Sequence, residues 1–123
     1  MPILDVELIG QQESDPPIEQ LASRIAHAVG DALGVPSGQL WVKARRVAAS
    51  SYAENGPRND VLPIFVRVLV RTRDPQVWPQ RAAAIADAVA NATSRPRDLI
   101  HVIFEPDATG RVFFGGSADP RPG

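Results

Sequence analysis

The pattern of the first 56 residues starts over at position 62, and a chain that repeats a strand–helix–strand pattern has few ways to fold. Met1-Pro2-Ile3 is echoed 61 residues on by Leu62-Pro63-Ile64, and Asp15-Pro16 by Asp74-Pro75. Ala22, Ile25 and Val29 return 60 residues on as Ala82, Ile85 and Val89, and Gly116 stands 60 beyond Gly56. In the first copy, Leu4, Val6 and Leu8 alternate with Asp5 and Glu7, the period of a half-buried strand. The period then changes to that of a helix, with Ile18, Leu21, Ala22, Ile25, Val29 and Leu33 on one face and His27 on the far side, ending at Gly34. Asp15 is placed to cap this helix, and Pro16 to pre-set its first turn. A second strand is expected over 40–47, and Asn55-Gly56 signals a turn. In the second copy Ile64, Val66, Val68 and Val70 alternate with Phe65, Arg67, Leu69 and Arg71, a helix follows with Trp78 packing in its first turn, and 100–104 forms the last strand. The polar face of the first strand slips by one position between the copies.

The expected fold class is therefore α+β: a tandem βαβ repeat (βαββαβ), forming a four-stranded sheet with two helices on one face. The domain organisation is one domain over 1–123, with units at 1–56 and 62–116, a linker at 57–61 and a flexible proline-rich tail at 117–123. The bare sheet face needs a cover, because an apolar sheet face must be buried, so an oligomer is expected.

Composition removes several functions. The 13 Lys+Arg against 14 Asp+Glu leave a net charge of −1 with no block of one sign, so nucleic acid and anionic membrane are not expected partners. With no cysteine, and only His27 and His101, no metal site is expected. There is no secretory pattern and no apolar run of roughly 20 residues, which makes a cytoplasmic location the default expectation.

Pro2 is the residue with two readings. Proline cannot donate to a sheet ladder, so it commonly opens a strand. If Met1 is removed, however, Pro2 is a free secondary amine, a base held at a fixed place. Pro63 can only be structural, because its nitrogen lies inside a peptide bond. Arg71 and Arg73 end the third strand either as edge-protecting charges or as carboxylate anchors. Trp41, Tyr52 and His101 are packing residues as readily as they are ligand contacts.

A proline behind the initiator, βαβ units of this size and a glycine pair after the second copy together resemble the tautomerase superfamily. That group includes 4-oxalocrotonate tautomerase, 5-carboxymethyl-2-hydroxymuconate isomerase, macrophage migration inhibitory factor, cis-3-chloroacrylic acid dehalogenase and malonate semialdehyde decarboxylase. The resemblance spans Pro2 to Gly116. It implies a homotrimer of fused units, no cofactor, a small carboxylate substrate and Pro2 as the catalytic amine, each pocket formed partly by a neighbouring subunit. It also implies that Arg71 and Arg73 bind the carboxylate. Gln12 is the first-half copy of Arg73, and Trp41 and His101 hold the two places of a further family arginine, near Lys43 and Arg45. Tyr52 falls on the family's aromatic wall, with Val112 at that place in the second half. Gln39 stands where the decarboxylase has an aspartate, a departure that counts against carboxylate-activated water. The implied activity is tautomerisation or isomerisation of small 2-hydroxy-unsaturated or 2-oxo acids. The alternatives are a hydratase or dehalogenase of 3-substituted acrylates working through a protonated Pro2, and a non-catalytic ferredoxin-like binding module, whose element order is the same.

Overall fold

The computed structural model describes residues 2–57, 61–71, 75–106 and 110–118. Two βαβ units are built side by side. β1 (Ile3–Ile9), α1 (Ile18–Leu33) and β2 (Trp41–Val47) form the first, and β3 (Ile64–Leu69), α2 (Trp78–Thr93) and β4 (Ile100–Phe104) the second. The strand order is β2-β1-β3-β4, with each unit's own strands adjacent and parallel, and β1 antiparallel to β3 in the centre. This order separates the fold from the split arrangement of ferredoxin-like modules, in which the two strands of a βαβ unit are not neighbours. The ferredoxin-like alternative is thereby overturned at the level of topology.

The two central strands pair Val6 with Val66, residues 60 apart, so the sheet is symmetric about that pair. The one-place slip in the sequence belongs to Pro63 alone: at the sheet's spacing of 60, Pro2 matches Leu62. Leu4, Val6 and Leu8 of β1 and Ile64, Val66 and Val68 of β3 face the helices and are sealed against Leu21, Ile25, Val29, Ile85 and Val89. All but Val6 (1%) of these are completely inaccessible, so truncating one, such as Ile25→Ala, removes about 2–5 kcal/mol of stability.

Three expectations change here. Asp15 does not cap α1: Pro17 is the N-cap and no side chain bonds the first turn. Asp15 is drawn away by two arginines. The uncovered sheet face is not a uniformly apolar surface: its middle rows are Asp5, Glu7, Lys43, Arg45 and Arg67, joined as the ion pairs Asp5–Lys43 (3.0 Å) and Glu7–Arg45, with Arg67 on Glu105 (3.3 Å). Cross-strand opposite charges satisfy these rows on the β1–β2 side, while on the β3–β4 side the same rows run into Phe65 and Ile103, the latter 38% exposed. Finally, the chain does not fray at 117, because Phe113–Phe114 (β5) and Ser117–Ala118 (β6) close a hairpin. Its turn is Gly115-Gly116, with φ of 60° and 86°, a left-handed pair that side chains disfavour.

Candidate active site

The antiparallel centre and the parallel flanks decide what lies beside Pro2. The beginnings of β1 and β2 and the ends of β3 and β4 meet at one end of the sheet. Pro2 is buried there, and its carbonyl accepts a hydrogen bond from the Trp41 backbone N–H at 3.0 Å. Ile3 pairs with Trp41 on one side and Leu69 on the other, so the residues after Leu69, Val70 and then Arg71, run past the amino end of β1. Val70 is buried and Arg71 half-buried. Arg73 and Met1 lie outside the described residues.

Trp41 is held twice. Beyond its backbone bond to Pro2, its indole N–H donates to the Gly38 carbonyl at 3.0 Å, and its ring meets Phe114 of the hairpin edge to face, with centroids 4.8 Å apart. At the same sheet end, Trp78 stacks flat on Phe104 with centroids 5.1 Å apart, on the helix side. α2 starts there with no acidic residue in its first turn and no side-chain cap. The positive end of its dipole is left uncompensated by its own first turn.

Tyr52 and His101 are elsewhere. Phe65 stacks at a tilt on His101 (5.3 Å) and on Tyr52 (5.9 Å), and Phe65 pairs with Glu7, four residues along β1 from Ile3. At about 3.3 Å per residue, roughly 13 Å separate this ring cluster from the Pro2 end. The Tyr52 hydroxyl donates to Glu54, and that bond pushes the phenol above its usual range. The six sequence candidates thus fall into two groups within one chain: Pro2, Trp41 and Arg71 at one end of the sheet, Tyr52 and His101 at the other, with Arg73 not described. Phe65 and Phe114 were not singled out in the sequence. Phe65 lies in an ordinary strand alternation, and Phe114 is brought in only by the hairpin.

A second feature escaped the sequence. Arg95 is buried, and its side chain is completely inaccessible. It grips Asp15 with two bonds (Nε to Oδ1 3.0 Å, Nη2 to Oδ2 2.7 Å) and donates to the carbonyls of Ile9 (2.7 Å), Gly10 (3.1 Å), Leu62 (3.1 Å) and Pro63 (3.5 Å). Arg46 adds bonds to Asp15 (3.0 Å) and to Gly10 (2.7 Å), and the Gln12 N–H a further one to Asp15 (2.9 Å). Burial alone raises the Asp15 carboxyl, but the Arg95, Gln12 and Arg46 bonds outweigh it and hold it at about 2, against an ordinary 3.8. Gly10, at φ +65°, lets this turn close: a Cβ there would stand 2.7 Å from Leu62. By the symmetry of the sheet, this knot fills the place in the second unit that corresponds to the surroundings of Pro2.

No family model matches the sequence, and no curated protein matches it. The fold, in contrast, is shared with solved structures. A wild-type fused 4-OT described as a symmetric trimer superposes with a TM-score of 0.73 at 16% identity, covering 95% of this chain and 94% of that one. The protein Pt0534, solved after inactivation by 2-oxo-3-pentynoate, gives 0.72 at 16% identity over 95% and 94%. The macrophage migration inhibitory factor of Oncomelania hupensis gives 0.69 at 21% identity over 95% and 81%. The class is therefore the 4-OT and migration inhibitory factor fold, and within it the chain takes the two-unit form of the fused 4-OT structures. Among the described residues, no group of side chains could hold a metal ion, and no helix is long and apolar enough to cross a membrane.

Proposed function

We propose that this chain is a tautomerase that needs no cofactor. With Met1 removed, the Pro2 amine moves a proton between oxygen and carbon of a small 2-hydroxy-unsaturated or 2-oxo acid. The observation that carries this reading is the placement of Pro2, buried at the head of the central strand, with Arg71 arriving beside it from the antiparallel neighbour.

A free α-amine titrates near 7.7–8.0 in model peptides, and burial or a nearby cation favours the neutral form. Pro2 is buried and Arg71 follows on from the adjacent strand, so both influences favour an amine able to act as a base. Arg71, with Arg73, presents a planar fork to the substrate carboxylate, and a guanidinium there also stabilises the oxygen of a developing enolate. The proton taken from the hydroxyl is returned to carbon by the same amine. The ring cluster of Tyr52, Phe65 and His101 lies too far from Pro2 to serve it within one chain. We therefore assign it to the Pro2 of a neighbouring copy in a homotrimer, the assembly described for the fused 4-OT structure above.

The test is an ultraviolet assay of 2-hydroxymuconate ketonisation, using protein whose intact mass confirms loss of Met1. Pro2→Ala should lower the rate about 10²–10⁴-fold. A Pro2→Ala rate equal to wild type rules the mechanism out. Co-assembly of Pro2→Ala with His101→Ala subunits should restore part of the activity that each homogeneous variant lacks. Unrestored activity in verified mixed assemblies would place His101 outside the site.

A further inference from the structure

The Asn55-Gly56 pair signals a turn in the sequence, and the fold puts it where a turn of that kind is not held. Asn-Gly favours the tight turn of a hairpin, in which the two strands it joins pair with each other and keep it closed. Here the flanking strands are β2 and β3, and β1 lies between them in the sheet. The chain instead bends at residues 55–57. A Glu54-Asn55-Gly56-Pro57 turn would be closed by the N–H of its fourth residue, and that residue is a proline, which has none. Asn55, Gly56 and Pro57 are all exposed, and among the described residues no hydrogen bond reaches Asn55 or Gly56. A Cβ built on Gly56 would meet nothing within 4 Å.

These are the conditions under which a side-chain amide is attacked by its own backbone. The Gly56 nitrogen, unbonded and unshielded by a Cβ, is free to swing onto Asn55 Cγ. The N–Cγ bond forms, the Cγ–Nδ2 bond breaks, and ammonia leaves with the proton given up by the Gly56 nitrogen. Water then opens the five-membered imide at either carbonyl, which gives an aspartyl or an isoaspartyl residue and adds one negative charge. Water is the only co-reactant, and nothing is oxidised or reduced. Asn91 is the contrast. It lies inside α2, where the next N–H is held in the helix ladder and belongs to Ala92, which carries a Cβ.

We propose that Asn55 is a site of spontaneous deamidation, and that the carboxylate formed there acts on the neighbouring Tyr52–Glu54 pair. The Tyr52 hydroxyl already donates to Glu54, and that bond already holds the phenol above its usual range. A second carboxylate beside Glu54 disfavours the phenolate further, so the hydroxyl stays a donor to higher pH. The conversion does not depend on the reading of Pro2 given above, but its effect on turnover rests on it. With Tyr52 lining the pocket of a neighbouring copy, the new charge opposes an anionic substrate, to an extent that salt screens. Fresh and aged chains then differ in charge at the rim of that pocket.

The experiment holds the protein for days in warm, mildly alkaline buffer and maps its peptides by mass spectrometry, with isoaspartyl groups counted by enzymatic methylation. Wild type and Pro2→Ala should convert at residue 55 at the same rate, while Asn91 stays intact. Gly56→Ala, which the open space around Gly56 tolerates, should convert several-fold more slowly, as should Asn55→Gln, both with unchanged circular dichroism. Tyr52 is the only tyrosine, so phenolate absorbance reports it alone, and its titration should move to higher pH in the converted protein and in Asn55→Asp. The KM of Asn55→Asp for 2-hydroxymuconate should rise about twofold at low salt and return toward wild type at high salt. An intact Asn55 after incubation, conversion unslowed in Gly56→Ala, or a Tyr52 titration unmoved by conversion would overturn the proposal. A raised Tyr52 titration with an unchanged KM would support the modification site and remove Tyr52 from the neighbour's pocket. Full activity of Pro2→Ala would remove the parent reading and leave the conversion standing.

Discussion

The two βαβ units share one backbone plan, and they differ most in the turn that follows each first strand. After β1, Asp15 is swallowed by Arg95 and Arg46, and the carbonyls of Ile9, Gly10, Leu62 and Pro63 are tied to the same guanidinium. After β3, the chain leads through Arg71 into a helix whose first turn has neither a side-chain cap nor an acidic residue. The first turn spends its charges inside the protein, whereas the second opens with Arg71, which follows the strand that runs antiparallel beside Pro2. The repeat supplies two equivalent places, and side-chain choice turns one into a fastening, while the other holds Pro2, the proposed base. A buried guanidinium with a bidentate carboxylate and several carbonyl acceptors is well satisfied, so the fastening holds while intact and is costly to break halfway.

The sharpest break of this comparison is between the two prolines. Pro2→Ala should remove about 10²–10⁴ of the ketonisation rate, whereas Pro63→Ala should leave the rate within about twofold of wild type in the same assay. Comparable losses from both would mean that the units are not functionally distinct.

Next in size is the contrast between arginines. Arg95→Ala strands the buried Asp15 carboxylate and should cost about 3–5 kcal/mol in denaturant unfolding, while the double variant Arg95→Ala/Asp15→Ala should lose less than the sum of the single ones. Arg71→Ala should do the reverse, raising KM while shifting the unfolding midpoint little.

The fastening also gives a pH signature. The folded Asp15 carboxyl sits at about 2 rather than 3.8, so the folded state favours its ionised form. The resulting stabilisation, about 2 kcal/mol, is complete above pH 3.8 and fades as pH falls toward 2. Urea unfolding of wild type and Asp15→Asn at neutral pH and near pH 2.5 should show the gap between them narrowing in acid. A constant gap would mean that the carboxylate charge is not what the arginines hold.

The smallest effect concerns the helix ends. α1 closes on Gly34 at φ 67° and α2 on Ser94 at φ 63°, the same left-handed cap with different residues. Only glycine occupies that region without steric cost, so Ser94→Gly should stabilise by about 1 kcal/mol and Gly34→Ser should destabilise by a similar amount. Equal and negligible changes would show that the caps are not under strain.

Much of the fold was legible because it is written in short-range periodicity. Alternation in β1 and β3 and the spacing of Leu21, Ile25 and Val29 report which side of an element is dry, and they do so without knowledge of any partner element. The strand at 40–47 was expected one residue early, a boundary shift set by where Trp41 joins Ile3. The capping role assigned to Asp15 failed for a different reason. A side chain is claimed by whichever partner reaches it with the best geometry, and Arg95 comes from 80 residues away.

The same distinction runs through the candidate site. The sequence alone determined the repeat, the four core strands and two helices, the buried faces, and the chemical singularity of a proline directly behind the initiator. Only the tertiary structure decided that β1 and β3 are antiparallel, which brings Arg71 beside Pro2 and sends His101 to the opposite end. It alone decided that Phe114 meets Trp41, and that Arg95 closes the second unit. Periodicity is a property of neighbours along the chain, whereas these contacts depend on strand direction and register, which form only when the two units pack into one sheet.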